Sequence, residues 1–203
     1  MKYNDFIKKL LNNKYYVFSV RDLEILFPLE SKYSIKKSLY LWKKKGLIKS
    51  LKRNLYELTY PDDYHIPDLF IANKLYRPSY ISLETALSNF SIIPEVSMSV
   101  TSLTTKPTRR FKNHHGLFIY QTVTPEKFSG YNIEKINQFE IFMAEPEKAL
   151  VDYIYFRIIR EKLLTFEDTR IDLSVLEKMN MKKIIKYSTL YHKRNEICSI
   201  MKI

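Results

Sequence analysis

One amphipathic segment limits the folds open to this chain more than any other feature. Across residues 34–45, Ile35, Leu39 and Trp42 recur at spacings of four and three. Those spacings place the three apolar side chains on one helical face, which must therefore pack inward. Gly46, one of only three glycines in 203 residues, follows at the point where a helix is commonly closed by a left-handed residue. Residues 47–50 and 55–58 then read as two short strands around Leu51-Lys52-Arg53-Asn54. Upstream, Phe6, Ile7, Leu10 and Leu11 predict a helix over residues 3–12. Ser19, with Asp22 three residues later, opens a second short helix through Leu23, Leu26 and Phe27, which Pro28 stops.

Three helices followed by a hairpin with a basic tip is the order of a winged helix-turn-helix, a DNA-binding arrangement. Charge points the same way. Residues 1–60 hold 14 Lys and Arg against 5 Asp and Glu, whereas residues 61–203 hold 20 against 17. Lysine-favouring codon bias and solvated helix faces account for a high total, but not for this asymmetry. A basic excess in one small segment is the electrostatic footprint of phosphate binding. Tyr33, Lys37, Tyr40 and Lys44 lie opposite the apolar face of the third helix, with Lys36 and Lys43 on a flank. Lysines there can neutralise phosphates, and tyrosines can donate to phosphates or touch base edges in the major groove. The expected DNA-binding set is Lys32, Tyr33, Ser34, Lys36, Lys37, Tyr40 and Lys44 from the helix, with Lys52, Arg53 and Asn54 from the wing tip.

Pro61, Asp62, Asp63 and Pro67 interrupt helix and strand patterns alike. The expected division is a DNA-binding domain at 1–60, a linker at 61–67 and a mixed α and β domain at 68–203 that ends in helices, an α+β chain as a whole. In the second domain a helix is predicted over residues 69–76 and a short strand at Tyr80-Ile81. Ser82 then reads as the cap of a helix holding Leu83, Ala86, Leu87 and Phe90. Strands are predicted over 96–101, 110–112, 117–122 and 139–143, with His114-His115-Gly116 as an exposed turn. A strong helix starts at Glu145-Pro146 and turns Ala149, Leu150, Tyr153, Ile154 and Ile158 inward. Lys148 and Asp152, four apart, read as a surface pair.

Two runs carry a resemblance. Tyr80-Ile81-Ser82 followed by Ala86-Leu87 resembles the Y-I-S-x-x-x-A-L motif of AbiEi-type antitoxins. Ala144-Glu145-Pro146-Glu147-Lys148-Ala149-Leu150-Val151-Asp152 resembles that family's A-x-P-E-K-A-L-x-D helix start. Between them, Val100-Thr101 with Arg109-Arg110 is similar to its V-T strand and basic loop. The resemblance spans about residues 77–152. It implies an antitoxin of the type IV toxin–antitoxin class, linked to abortive infection and phage defence. Such a protein represses its own operon at inverted repeats, and its C-terminal domain counteracts a nucleotidyltransferase-like toxin. The chain departs from the pattern at Asn54, where many relatives have Gly in R-G-x-Y; Asn tolerates a positive φ, so the wing turn is expected to survive. The alternative is a winged-helix transcriptional regulator without a toxin, its second domain sensing a ligand or dimerising.

No catalytic or cofactor-binding pattern is visible. There is no P-loop, GxGxxG or G-x-S-x-G, and the only carboxylate-x-Lys triplet of the nuclease type is Glu30-Ser31-Lys32, inside the expected helix-turn-helix turn. Cys198 with His65, His114, His115 and His192 offers no zinc-ligand spacing, and adjacent histidines rarely aim at one ion. The expectation is therefore no enzyme, no cofactor and no metal. No run is long and apolar enough to cross a membrane, and Met1–Asp5 lacks a signal-peptide pattern, so the expected location is the cytoplasm.

Overall fold

The computed structural model describes residues 2–60, 65–94, 97–161 and 164–201, which form a mixed α+β protein with two sheets. The chain divides into two compact units. The first comprises Met1–Pro67 together with Asn113–His115, and the second Asp68–Lys112 with Gly116–Ile203. The sequence reading placed 113–115 with the second domain; they group with the first. Of the expected linker, residues 61–64 lie outside the described residues, and His65–Pro67 is neither helix nor strand. No helix among the described residues is long and apolar enough to cross a membrane.

In the first unit the order is α1 (Tyr3–Asn12), β1 (Val17–Ser19), α2 (Val20–Leu26), α3 (Lys32–Lys44), β2 (Ile48–Lys52) and β3 (Leu55–Leu58). The strands form an antiparallel sheet in the order β1-β3-β2. The sequence reading had no β1; its three residues pair with β3, Phe18 opposite Tyr56. Helix α2 starts on a complete capping box. The Ser19 hydroxyl accepts from the Asp22 N–H, and the Asp22 carboxylate accepts from the Ser19 N–H. Phe6, Leu10, Phe18, Leu23, Ile35, Leu39 and Ile48 make the core and are all but inaccessible. The Phe6 ring lies 4.4 Å from the Trp42 ring and 5.5 Å from Phe18.

The second unit runs α4 (Asp68–Leu75), β4 (Ser79–Ile81), α5 (Leu83–Asn89), β5 (Ser99–Thr104), β6 (Arg109–Asn113), β7 (Gly116–Thr122), β8 (Tyr131–Ile136), β9 (Phe139–Ala144) and α6 (Pro146–Arg160). It closes with α7 (Leu173–Leu176), α8 (Met181–Ser188) and α9 (Arg194–Ile200). The sheet order is β6-β7-β5-β4-β9-β8. Two pairings in it, β5 with β7 and β4 with β9, are parallel, while β4–β5 and β8–β9 are antiparallel. β8 has no counterpart in the sequence reading. The strand expected over 96–101 starts at Ser99 instead and runs on to Thr104; Val96 lies outside the described residues.

The parallel β4–β9 pair sets Ile81 opposite Met143, three residues before α6 begins. Tyr80 and Ser82 thereby face the first turns of α6, where Lys148 and Asp152 project from the same side. Both charged side chains are fully buried, so the expected surface pair is a core ion pair. The pair leaves no polar atom unmet. One Asp152 oxygen accepts from Lys148 and from the Tyr191 hydroxyl. The other accepts from Ser82 Oγ (2.8 Å) and the Tyr80 hydroxyl (3.3 Å). The remaining two ammonium protons go to the hydroxyls of Tyr80 and Tyr191, each at 3.1 Å. Burial, followed by the Asp152 charge, pushes the Tyr80 and Tyr191 hydroxyls far above their ordinary value, so both stay protonated donors. Ser82, read as a helix cap, holds the N-cap position of α5 but makes no capping bond; its hydroxyl donates to Asp152, and the Thr85 N–H of the first turn goes to Thr101 Oγ1 at 3.1 Å. Ile158, expected inward, is only half-buried.

A second polar node lies at the N-terminus of α6. The Glu145 carboxylate accepts from Lys183 Nζ (2.8 Å), the Tyr187 hydroxyl (2.9 Å) and Asn132 (3.3 Å), joining α8 and β8 to α6. Gly130 allows this approach: a Cβ there would stand 2.7 Å from the Tyr187 ring, and its φ is +73°.

Two outcomes are expected. Asp152→Ala strands a buried ammonium and should destabilise the full chain by about 3–5 kcal/mol in urea unfolding, with Lys148→Met/Asp152→Leu losing much less than the two single changes summed. A loss near zero for Asp152→Ala would refute the pair's structural role. The second outcome concerns pH. The Lys183 hydrogen bond first, then that from Tyr187, holds the Glu145 carboxyl below its ordinary value of 4.5. The stability it adds is fully present above that value and is lost as pH falls through the depressed one. Glu145→Gln should therefore flatten the acid limb of a melting-temperature profile below about pH 4.5 while leaving its slope near neutrality unchanged.

Candidate nucleic-acid interface

Helix α3 is set by its two ends. The Ser31 hydroxyl accepts from the Ser34 N–H (3.1 Å) as N-cap. At the other end the Gly46 N–H donates to Lys43 O (3.1 Å) and the Leu47 N–H to Trp42 O (3.0 Å), with Gly46 at φ +73°. That is the paired bonding of a Schellman closure, which a residue in the left-handed region makes possible. The helix begins two residues earlier than expected, at Lys32 rather than Ser34, because Ser31 supplies the cap. Ile35, Leu39 and Trp42 are buried against α1, whose Tyr3 ring lies 5.3 Å from Trp42.

With that face committed, the opposite one is open. Tyr33 is 77% and Tyr40 67% exposed, and Lys36, Lys37, Lys43 and Lys44 are exposed beside them. The stripe expected from spacing, Tyr33-Lys37-Tyr40-Lys44, is thus a continuous surface of two phenols and two ammonium groups. Lys32 and Ser34 differ from the rest. Lys32 pairs with Glu24 of α2 at 3.0 Å, and half-buried Ser34 donates its hydroxyl to Glu30 at 2.6 Å. Both thus have partners at the connection between α2 and α3, although the Lys32 side chain stays largely exposed.

The hairpin is tighter than the sequence suggested. Strand β2 continues through Lys52, with a register irregularity between Ser50 and Lys52, so the turn is Arg53-Asn54 rather than four residues. Asn54 takes φ +62°, the left-handed conformation that Asn adopts more readily than most side chains. Arg53 and Asn54 are exposed at the tip; Lys52 is half-buried on the strand.

The other polar feature of the first unit was not foreseen. Glu57 of β3 is only 4% exposed, and His114 and His115 meet it: His114 Nε2 lies 2.5 Å from one carboxylate oxygen and His115 Nε2 2.7 Å from the other. Of the expected exposed turn, His114 is exposed and His115 and Gly116 are half-buried. Burial raises the Glu57 carboxyl, but the hydrogen bonds from His115 and His114 outweigh it and leave the group below its ordinary value. Glu57 had no signal in the sequence beyond its place in a short strand.

No protein-family model matches the chain, and no curated protein matches it significantly in sequence.

The turn generates a direct test. Asn54→Gly should keep or slightly raise the melting temperature, since glycine takes φ +62° without strain. Asn54→Val should lose about 1–2 kcal/mol, because a β-branched residue resists the left-handed region. Equal stability of the two variants would mean the turn does not hold this conformation in solution.

Proposed function

We propose that the chain is a sequence-specific DNA-binding repressor of antitoxin type, in which α3 reads the major groove and the β2–β3 hairpin is the wing of a winged helix-turn-helix. The observation that carries the reading is the division of α3 into two faces. Ile35, Leu39 and Trp42 are consumed by the core, while Tyr33, Lys37, Tyr40 and Lys44 are left to solvent together. Lysine at that position supplies phosphate neutralisation without sequence information, and tyrosine supplies a donor and an apolar ring for base edges. Arg53 on a two-residue turn suits contact along the backbone or in a narrowed minor groove.

The antitoxin part of the proposal rests on the resemblance to AbiEi-type proteins. In that reading the chain represses its own operon at inverted repeats, and the second unit counteracts a nucleotidyltransferase-like toxin. Tyr80 and Ser82 from one motif and Lys148 and Asp152 from the other meet in a single buried network. Their convergence supports treating the two runs as parts of one signature. It also assigns those residues to folding rather than to contact with a partner.

The experiment is a binding series of the purified full chain on its own upstream DNA and on a scrambled duplex, over a range of salt. Preference for the upstream site is expected. Lys37→Ala should lower the salt slope of log K by about 1 on both duplexes. Tyr40→Ala should instead erode the preference, by about 1–3 kcal/mol if the phenol meets a base edge. Equal, salt-sensitive binding to both duplexes would reduce the basic face to a non-specific electrostatic surface and overturn the repressor reading.

A further inference from the structure

Glu57, His114 and His115 form the only group of three or more metal-ligating side chains found converging among the described residues, their donor atoms all within 4.8 Å of one another. Consecutive residues of a strand point to opposite faces, so adjacent histidines would ordinarily diverge. Here they sit in the turn after β6, where strand alternation has ended. Asn113 Oδ1 accepts from the His115 N–H at 2.8 Å and fixes the local bend, and Gly116 follows at φ +126°. The two rings lie 4.4 Å apart and aim both Nε2 atoms at one carboxylate.

We propose that Glu57, His114 and His115 are the protein ligands of a zinc-class divalent ion. Two imidazole nitrogens and one carboxylate oxygen are a donor set such ions accept, with ligand distances of about 2.0–2.2 Å. Ligands at that distance around a tetrahedral centre are separated by about 3.3 Å. The present nitrogen–oxygen separations of 2.5 and 2.7 Å need to open only modestly to admit the ion. Imidazole selects zinc, cobalt or nickel over magnesium and calcium, which take oxygen donors. Burial of Glu57 adds to the case, because a carboxylate withdrawn from water gains from a cation held directly against it.

Three protein ligands leave a fourth position, and the surroundings provide room for one. A cleft of about 400 Å³ reaches Glu57 and His115 and is bordered by Gly46, Thr59, His65 and Lys49. Open space lies over the Gly46 Cα. His65, exposed on the rim of the same cleft, is a further imidazole that the fourth position can recruit, directly or through a water. Lys49, on the strand paired with β3 and directly opposite Glu57, is the one lysine or arginine on the cleft rim among the described residues, which favours an ion held low against the carboxylate over one free in the opening. This site does not depend on the DNA-binding proposal.

The test uses the full chain without an affinity tag, stripped with chelator and dialysed. It is titrated with zinc chloride by calorimetry and with cobalt(II) chloride by visible absorption. One equivalent per chain is expected, with cobalt bands of a four- or five-coordinate nitrogen–oxygen site, and magnesium chloride should give no such uptake. His114→Gln/His115→Gln keeps side-chain donors toward Glu57 and should bind zinc at least about tenfold more weakly, since even changes to residues that merely orient metal ligands weaken binding by about 10–100-fold. Far-ultraviolet circular dichroism establishes that the variant is folded. His65→Ala should keep the one-equivalent stoichiometry while altering the cobalt spectrum or the affinity. Zinc uptake that fails to saturate near one equivalent, or that is equal in the folded double variant and the parent, would overturn the site and leave Glu57 as a hydrogen-bond acceptor only.

Discussion

A single ion pair without access to water, Lys148 with Asp152, organises the second unit. Taking an ammonium and a carboxylate out of solvent is unfavourable unless every proton and lone pair finds a partner. That requirement recruits residues from distant parts of the chain: Tyr80 and Ser82 from either side of Ile81 in β4, and Tyr191 from the segment after α8. Each must arrive for the others to be satisfied. The parallel pairing of β4 with β9, the entry of α6 directly from β9 and the docking of the C-terminal helices are therefore conditions of one another. Pairs of this kind add little net stability relative to an apolar core, but they penalise every arrangement that leaves a member unmatched.

The first unit is built differently. Its core is aromatic and aliphatic, centred on Phe6, and the polar groups around α2 and α3 are spent at helix ends. That economy is what leaves the outer face of α3 free. A helix held on one side by Ile35, Leu39 and Trp42 and at both ends by caps can present long polar side chains without depending on them for stability. Lys32 and Ser34 show the limit of this freedom, since both sit in the first turn and are drawn into the connection from α2.

What could be read from the sequence was the part decided locally. The face of α3, the capping box at Ser19 and Asp22, and the close of α3 at Gly46 depend on residues within a few positions of one another. The failures share the opposite property. Strand β1 is three residues long and owes its existence to β3, nearly forty residues on. Strand β8 is defined by its pairing with β9 and has no strong alternation of its own. Spacing of four along a helix is the same for a surface pair and a core pair, so Lys148 and Asp152 were misplaced until the sheet beside them was known. Ser82 looked like a cap because it precedes a helix, yet its partner lies seventy residues away. His114 and His115 were placed correctly in a turn but discounted because neighbouring histidines rarely aim at one group, and the carboxylate on which they converge lies 57 residues back. Glu57 gains its meaning only from them.

The order of the larger sheet also bears on how the molecule behaves when crowded. Its two outer strands, β6 and β8, each have one neighbour in the sheet, and an outer strand is where another chain can extend a sheet. β6 reads Arg109-Arg110-Phe111-Lys112-Asn113, and its two arginines and its lysine are exposed. β8 carries Glu134 and Lys135 between Ile133 and Ile136. Adding a strand to the first margin would bring a second row of cations against three already there; adding one to the second would crowd a carboxylate and an ammonium along the seam. The margins of the sheet thus resist the edge-to-edge association to which a six-stranded sheet is otherwise open, and this protection comes from side chains that take no part in the core.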